Sequence, residues 1–321
     1  MVYGFIGIGF LLFLIGSESV LRGGIGLSKA LGLPPAFVGV LVVSLAMAAP
    51  ELSIALQATA RHAPDIALGD IVGSNIANIL LVFGLGALLR PMPGSPRIVF
   101  RDGGAMILAS IVLVAIMLTG VVSRVAGVVL LLGWIAYLAL AIVTDWRRPP
   151  RLSPAEARAQ VRDEEHRGGI SVFLFIFGIV CLYFGGRFAL DASLAIARNF
   201  HIPQFVVALV PMGFGTALPE LVTTLAAAVR GHTSLTSSHL ITSNIFSILL
   251  VLGLTAIIHP FAASPLLAGI DGPIMIGASM ILVAFLMSGW RLTHGQGALL
   301  LVFYGTYLAF VAWRSGLLLH G

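Results

Sequence analysis

Two glutamates stand inside apolar stretches of the sequence, each directly after a proline. Glu51 follows Pro50 and Glu220 follows Pro219. A carboxylate in hydrocarbon is costly, so a glutamate found there is a candidate for function. Each proline also frees a backbone carbonyl about one turn earlier, which a bound cation could satisfy. Carboxylate and carbonyl oxygens are the ligands that Ca²⁺ prefers, whereas a zinc site would use His or Cys, and neither lies near. The pattern therefore predicts a cation site built from oxygen ligands.

A second polar motif accompanies each glutamate at the same distance along the chain. A shift of 169 residues that carries one glutamate onto the other also carries Ser74-Asn75-Ile76 onto Ser243-Asn244-Ile245. Residues four apart share one face of a helix, so Ser74 lies beside Asn78, and Ser243 beside Ser247. If the two copies are related by inverted pseudo-symmetry, both pairs surround one central point. A binding site near the middle of a membrane is predicted.

The composition places these motifs in a membrane protein. Hydrophobic residues make up 59% of the 321 residues, charged residues only 10%, and the mean hydropathy is +1.06. Apolar runs of about twenty residues are what a bilayer-spanning helix needs, so the sequence predicts an all-α integral membrane protein with ten transmembrane helices. The predicted spans are 2–21, 36–60, 66–89, 104–120, 123–144, 170–190, 203–229, 235–258, 267–288 and 297–314. The first run lacks a preceding basic residue and a following cleavage pattern, which favours a span over a removable signal peptide.

Charge and length divide these spans into two halves of five. The charged, proline-containing segment 145–169 is predicted to be a cytoplasmic linker between halves at 1–144 and 170–321, whose motif regions cover about 34–90 and 203–259. An odd number of spans per half means that the second half enters the membrane in the opposite direction, as in the inverted repeats of many secondary transporters. With the N-terminus outside, thirteen Lys and Arg fall on the inner side and five outside, which favours both termini outside. The net charge of +5 is thus a topology signal rather than a sign of nucleic-acid binding.

The two copies resemble the paired α-repeats of the Ca²⁺:cation antiporter superfamily, in particular its prokaryotic Na⁺/Ca²⁺ exchangers. Those exchangers carry Gly-Thr-Ser-x-Pro-Glu followed by Gly-Ser-Asn-Ile-x-Asn, and this chain carries APEL and GTALPEL, each followed by Ser-Asn-Ile. The resemblance covers essentially the whole chain. It implies alternating access at one central site in a multi-pass protein of the cell membrane, of the prokaryotic inner-membrane type. It also implies that Glu51, Glu220 and the backbone carbonyls of Met47 and Thr216 hold Ca²⁺.

The sequence departs from the family pattern at the flanking Na⁺ sites. The Thr-Ser before each Pro-Glu is Met47-Ala48 in the first copy and Thr216-Ala217 in the second, so each flanking site lacks a serine hydroxyl. Among the remaining expected ligands, Ser247 stands where the family often has Asp or Asn. Water or the backbone carbonyls of Ser44 and Gly213 would replace the lost oxygens. The side chains that the resemblance retains are Ser74, Ser243 and Asn78.

Several functions are consistent with these residues. The resemblance favours exchange of Ca²⁺ for Na⁺, and the missing hydroxyls make Ca²⁺/H⁺ exchange an alternative, because protons need only the glutamates. A non-transporting Ca²⁺-binding membrane protein is a further alternative. An enzyme is not predicted, since the sequence offers no His-Glu-x-x-His, no Gly-x-Gly-Asp and no evident nucleophile. No cofactor is expected beside the transported ions, and the expected partner is the lipid bilayer.

Two more polar residues occupy matched positions. Asp70 precedes Ser74 by one turn, and the 169-residue shift carries it onto His239, which precedes Ser243 by one turn. One interpretation places both at the membrane interface, near the ends of spans. The other makes them a proton relay that reaches the site from opposite faces, as Asp and His do in membrane pumps.

Overall fold

The computed structural model describes residues 2–31, 46, 48–146, 168–230, 233 and 236–316, and these are almost entirely helical. The helices are α1 Val2–Ala30, α2 Ala49–Ala60, α3 Pro64–Leu89, α4 Ile98–Leu118, α5 Arg124–Trp146, α6 Gly168–Asn199, α7 Gln204–Thr216, α8 Leu218–Arg230, α9 Thr236–Ile258, α10 Leu267–Met287 and α11 His294–Arg314. Four two-residue strands lie in the connections between helices: β1 Met92–Pro93, β2 Val121–Val122, β3 Phe261–Ala262 and β4 Arg291–Leu292.

The helices have the length and composition of a membrane protein. Within the described residues, eight helices are long and apolar enough to cross a bilayer, and α7 with α8 forms a ninth, bent span. The prediction of an all-α membrane protein is confirmed. The predicted second span, 36–60, falls partly outside the described residues, and α2 is its described portion. The described residues therefore do not reach the predicted ten spans.

The bend between α7 and α8 has a local cause. The two helices meet at an angle of 42° around Ala217, two residues before Pro219. Proline has no N–H to bond the carbonyl four residues earlier, here that of Gly215, and its ring clashes with that carbonyl. A π-helical segment, Ala208–Met212, precedes the bend and contains Pro211. The helix is thus broken where the sequence predicted it.

The two helices that carry the Ser-Asn motif form the centre of the molecule. Of the residues in the apolar windows of α3 and α9, 83% are buried in each case, against 28% for α5 and α11. The C-terminal part of α3 packs against α11, and that of α9 packs against α5. The long helices α1 and α6 pack along each other. Polar residues on α3 and α9 are therefore shielded from lipid by the other helices.

Several structural features occur twice in the molecule. Met92 of β1 pairs with Leu292 of β4, and Phe261 of β3, equivalent to Met92 under the 169-residue shift, pairs with Val122 of β2. π-helical segments recur as well, at Ala77–Val82 in α3 and Ser247–Val251 in α9. Such segments are rare and are found mostly at functional sites.

A buried ion pair also recurs near the start of α4 and of α10. In each, a fully buried aspartate accepts a hydrogen bond of 3.1 Å from a tyrosine on a neighbouring helix and pairs with an arginine. The first set is Asp102, Tyr137 and Arg101, and the second is Asp271, Tyr307 and Arg314. Because each charge is paired and hydrogen-bonded, these aspartates have a structural explanation.

Candidate cation-binding site

Glu51 and Glu220 lie in the first turns of α2 and α8, deep inside the protein. Their exposed fractions are 1% and 0%. The N-terminus of a helix has unpaired N–H groups and a partial positive charge, which favour a carboxylate at that end. The two carboxyl groups are close enough to interact electrostatically. The structure therefore brings together the two glutamates that the sequence singled out.

Most oxygen atoms of this pair lack an ordinary hydrogen bond within the described residues. Oε1 of Glu220 accepts a hydrogen bond of 2.7 Å from the Ser243 hydroxyl, whereas its Oε2 and both carboxyl oxygens of Glu51 have no partner there. A buried polar atom without a partner costs roughly 1–3 kcal/mol, and a buried charge costs more. A bound cation would remove that cost. The arrangement thus suits a positively charged substrate.

The Ser-Asn motifs of α3 and α9 meet across the centre of the molecule. The Asn75 amide donates to the Ser247 hydroxyl at 2.8 Å, and the Asn78 amide donates to Oδ1 of Asn244 at 3.0 Å. The 169-residue shift carries Asn75 onto Asn244 and Asn78 onto Ser247, so these two hydrogen bonds are equivalent contacts. Sequence reasoning did not select Asn75 or Asn244 as site residues. Their signal was present, however, because both stand in the repeated Ser-Asn-Ile.

These hydrogen bonds orient a candidate ligand. Asn78 donates its amide hydrogen to Asn244, while its carbonyl oxygen is buried and has no partner within the described residues. Asn244 therefore holds Asn78 so that the carbonyl oxygen remains available to a cation. Ser74 donates to the carbonyl of Ile71 in its own helix at 3.2 Å, which leaves its lone pairs available in the same way.

Asp70 adjoins this polar centre. It is fully buried on α3, and its Oδ1 accepts a hydrogen bond of 2.9 Å from the Thr216 hydroxyl of α7. Asp70 is therefore covered by α7 and the surrounding helices rather than exposed on the surface of α3. Its counterpart His239 is only partly buried, on the first half of α9. The two matched positions thus have unlike environments.

Glycines allow α3 and α7 to approach closely at the site. A Cβ atom placed on Gly213 would lie 2.7 Å from both the carbonyl carbon of Gly73 and the backbone nitrogen of Ser74. Only glycine permits backbones to come this close, which is the usual role of small residues between membrane helices. The contact sets Thr216 and the adjoining bend directly against α3.

The remaining predicted ligands are partly outside the described residues. Met47 and Ser44 lie there, so the structure gives no position for their carbonyls. Ala48 and Ala217 are both 1% exposed and adjoin the glutamate-bearing helices. Within the described residues, no group of three or more His, Cys, Asp or Glu side chains could hold a metal ion. Any cation here would rely on the two glutamates together with hydroxyl, amide and backbone oxygens.

Comparison with known proteins gives consistent matches along the chain. The model of a family described as sodium/calcium exchanger protein matches residues 1–143 and 170–313. Inner membrane protein YrbG of Escherichia coli (strain K12) is 31% identical, with 98% of this chain and 97% of that protein covered. Sodium/calcium exchanger MaX1 of Methanosarcina acetivorans is 26% identical, with 93% and 95% covered. A structure of the sodium-calcium exchanger NCX_Mj, soaked with Na⁺ and Sr²⁺, superposes with a TM-score of 0.67 at 25% identity and covers 96% of this chain and 97% of its own.

Proposed function

The chain belongs to the sodium/calcium exchanger protein family, and from that premise we propose that it exchanges Ca²⁺ for Na⁺ across a membrane by alternating access. The observation that carries the proposal is the pair of buried carboxylates, Glu51 and Glu220, with three oxygen atoms that lack an ordinary hydrogen bond within the described residues. A dication about 4 Å from one carboxylate gains roughly 8 kcal/mol at an effective dielectric constant near 20. Two carboxylates compensate both of its charges.

The proposed ligand set combines these glutamates with neutral oxygens. The Ca²⁺ ligands would be the two glutamates and the backbone carbonyls of Met47 and Thr216. Na⁺ would bind beside them, where it replaces Ca²⁺ during exchange. The proposed ligands of the Na⁺ sites are Ser74, Ser243, Asn78 and Ser247, with the backbone carbonyls of Ser44 and Gly213. Hard cations such as these take oxygen ligands, and the buried hydroxyls, amides and carboxylates of this site supply them.

Exchange of Ca²⁺ for H⁺ is the second candidate, and one observation favours it. The buried positions 48 and 217 are both alanine, so neither can supply a hydroxyl to Na⁺. A proton needs no such ligand, because it binds a single carboxylate oxygen. A protein that binds Ca²⁺ without transporting it is the third candidate.

We further propose ten spans in two inverted halves, residues 1–144 and 170–321, joined by a cytoplasmic linker at 145–169. The doubled features support it. The hydrogen bonds Asn75 to Ser247 and Asn78 to Asn244 exchange under the 169-residue shift, and each strand pair joins one strand of each half. The buried aspartates Asp102 and Asp271 also occupy equivalent positions, one in each half. With ten spans, the excess of Lys and Arg in alternate loops places both termini outside. The chain would then be a multi-pass protein of a prokaryotic inner membrane.

Transport by the purified protein in proteoliposomes tests the central claim. Vesicles loaded with unlabelled Ca²⁺ should take up ⁴⁵Ca²⁺ by counterflow. In vesicles without internal Ca²⁺, an outward Na⁺ gradient should drive the uptake. Glu51→Gln and Glu220→Gln should each reduce both fluxes by at least about tenfold, since each removes a compensating charge and 1.4 kcal/mol already corresponds to a factor of ten. The matched control is Glu18→Gln, because Glu18 is half exposed on α1 and pairs with Arg22 away from the site. Full flux in either site variant would remove the central site from the proposal.

The same vesicles separate the candidates for the coupling ion. Uptake driven by Na⁺ but not by a pH gradient supports Na⁺ exchange, and the reverse result supports proton exchange. Absence of any flux, with Ca²⁺ still bound in detergent, supports the non-transporting alternative. The double variant Ala48→Ser with Ala217→Ser restores one hydroxyl to each flanking site without a change of charge, so it should increase Na⁺-driven flux. A double variant with no such gain would show that those hydroxyls do not limit Na⁺ coupling.

A further inference from the structure

Asp70 is a third buried acidic group beside the two glutamates. Its exposed fraction is 0%, and only one of its two carboxyl oxygens has a partner within the described residues, the Thr216 hydroxyl. A residue needed only to receive that hydrogen bond would require a single acceptor, which an uncharged amide also supplies. The second oxygen has to be explained by something else.

The surroundings of Asp70 are negatively charged. Its carboxyl group is within electrostatic range of the Glu51 carboxyl, which in turn interacts with Glu220. Arg101 and Arg314, whose side chains are 13% and 12% exposed, do not compensate these charges, because they pair with Asp102 and Asp271. A divalent cation held by two glutamates balances two of the three carboxylates. The third carboxylate calls for a further positive charge close by.

Thr216 indicates where that charge would lie. A hydroxyl group has one hydrogen and two acceptor lone pairs. Oδ1 of Asp70, at 2.9 Å, is the nearest acceptor of the Thr216 hydroxyl; the carbonyl oxygens of Met212 and Gly213 lie farther away, at 3.2 and 3.4 Å. With the hydrogen directed to Asp70, the lone pairs of the hydroxyl are available to a cation. Ala217 follows directly and offers no oxygen in its side chain. The Thr216 side of the site thus lacks one hydroxyl but has an additional carboxylate.

We propose that Asp70 supplies a carboxylate oxygen to a monovalent-cation site on the Thr216 side of the central site, in place of the hydroxyl that Ala217 lacks. This inference rests on the proposed function and names a residue that sets its ion preference. Under this proposal the two Na⁺ sites that flank the central site, one next to Ala48 and one next to Ala217, are unequal. The flank next to Ala48 has no comparable acid, because the position equivalent to Asp70 in the second half is His239. Na⁺ binding should therefore be strong on one flank and weak on the other.

Asp70→Asn is the direct test, with Asp191→Asn as the matched control. Asparagine keeps the shape and can still accept the hydrogen bond of Thr216, whereas Asp191 is half exposed and pairs with Arg61 at the surface. Two quantities are measured: the Na⁺ concentration for half-maximal ⁴⁵Ca²⁺ release, and Ca²⁺–Ca²⁺ exchange without Na⁺. In Asp70→Asn the half-maximal Na⁺ concentration should rise by at least about tenfold, whereas Ca²⁺–Ca²⁺ exchange should fall by a clearly smaller factor. The control should change neither.

An unchanged Na⁺ dependence in Asp70→Asn overturns the inference, and so does an equal loss of both exchange modes. A shift in pH dependence alone also overturns it, since it assigns Asp70 to protons rather than Na⁺. If the unaltered protein shows no exchange at all, the proposed function fails. The inference is then decided by Na⁺-induced thermal stabilisation in detergent, which needs no transport and should be lost in Asp70→Asn.

A second pair of variants tests the inequality of the flanks without altering Asp70. Ala48→Ser adds an oxygen to the flank that has no extra acid, whereas Ala217→Ser adds one to the flank that Asp70 already completes. Ala48→Ser should lower the half-maximal Na⁺ concentration by at least about threefold more than Ala217→Ser. Equal gains, or a larger gain from Ala217→Ser, would overturn the inference even if Asp70→Asn did not fold.

Discussion

Replacement of Gly213 by alanine should separate the two helices on which the site is built. The new Cβ would lie 2.7 Å from the carbonyl carbon of Gly73 and from the backbone nitrogen of Ser74. Non-bonded carbon atoms prefer about 3.5–4.0 Å, so α7 would have to move from α3 by about 1 Å. Both contacts are with backbone, so no flexible side chain can yield to the new methyl group. The shift must therefore be carried by the helices themselves.

The cost of that shift can be estimated from two opposing effects. Overpacking by one methyl group costs about 1–3 kcal/mol, while alanine favours a helix over glycine by up to about 1 kcal/mol. A net loss of about 1–2 kcal/mol is expected. Activity should suffer more than stability, because ligands that hold a metal ion must keep their distances within about 0.2 Å. We expect Ca²⁺ flux to fall by at least about tenfold.

Gly305→Ala is the matched control for this experiment. Gly305 is inside helix α11, and a Cβ there would meet no atom within 4 Å, so only the gain in helix propensity of up to about 1 kcal/mol applies. Thermal unfolding in detergent and ⁴⁵Ca²⁺ flux in vesicles should be measured for both variants. If Gly213→Ala matches Gly305→Ala in melting temperature and flux, the close approach of α3 and α7 is not what positions the site.

Three more predictions concern other parts of the molecule. Asn244→Ala removes the acceptor of a buried amide, so it should cost about 1–3 kcal/mol of stability and weaken Ca²⁺ flux; an unchanged melting temperature would contradict the hydrogen bond. Arg314→Met leaves the buried Asp271 without its positively charged partner and should cost about 3–5 kcal/mol of stability. Arg61→Met, at the surface, should cost less than about 1 kcal/mol. Similar melting temperatures for the two variants would refute this ranking. Cysteines placed in 153–167 of a Cys181→Ser protein should resist an impermeant thiol reagent in intact cells, and labelling there with protection of the termini would invert the proposed topology.

The repeat pattern accounts for much of the structure. The fixed shift between the halves predicted which segments are equivalent, and the pairing of Asn75 with Ser247 and of Asn78 with Asn244 follows that shift. Pro219 predicted the break between α7 and α8, since a missing N–H is a local property that the sequence states directly. Apolar length predicted the membrane class for the same reason.

Other features depend on contacts between helices that no local pattern specifies. Asp70 looks like a residue near the end of a span when α3 is considered alone, and only the packing of α7 against Gly73 buries it. The arginine partners of Asp102 and Asp271 also differ between the halves: Arg101 is adjacent in sequence, whereas Arg314 comes from another helix. Such pairings arise from tertiary structure, so the 169-residue shift alone does not predict them.

The two hydrogen bonds between α3 and α9 are equivalent contacts under the 169-residue shift, but their partners differ: Asn75 meets a serine, and Asn244 meets an asparagine. In an exchanger whose halves trade roles, identical halves would relate the inward-open and outward-open forms by a twofold rotation about an axis in the membrane plane and give them equal free energy. Each difference between the halves removes that degeneracy, and about 1.4 kcal/mol shifts the ratio of the two forms tenfold. Under the proposed mechanism, the divergence of the second copy from the first would set the side to which the empty transporter opens at rest. Reciprocal exchange of residues such as Asn78 and Ser247 should then reverse that preference.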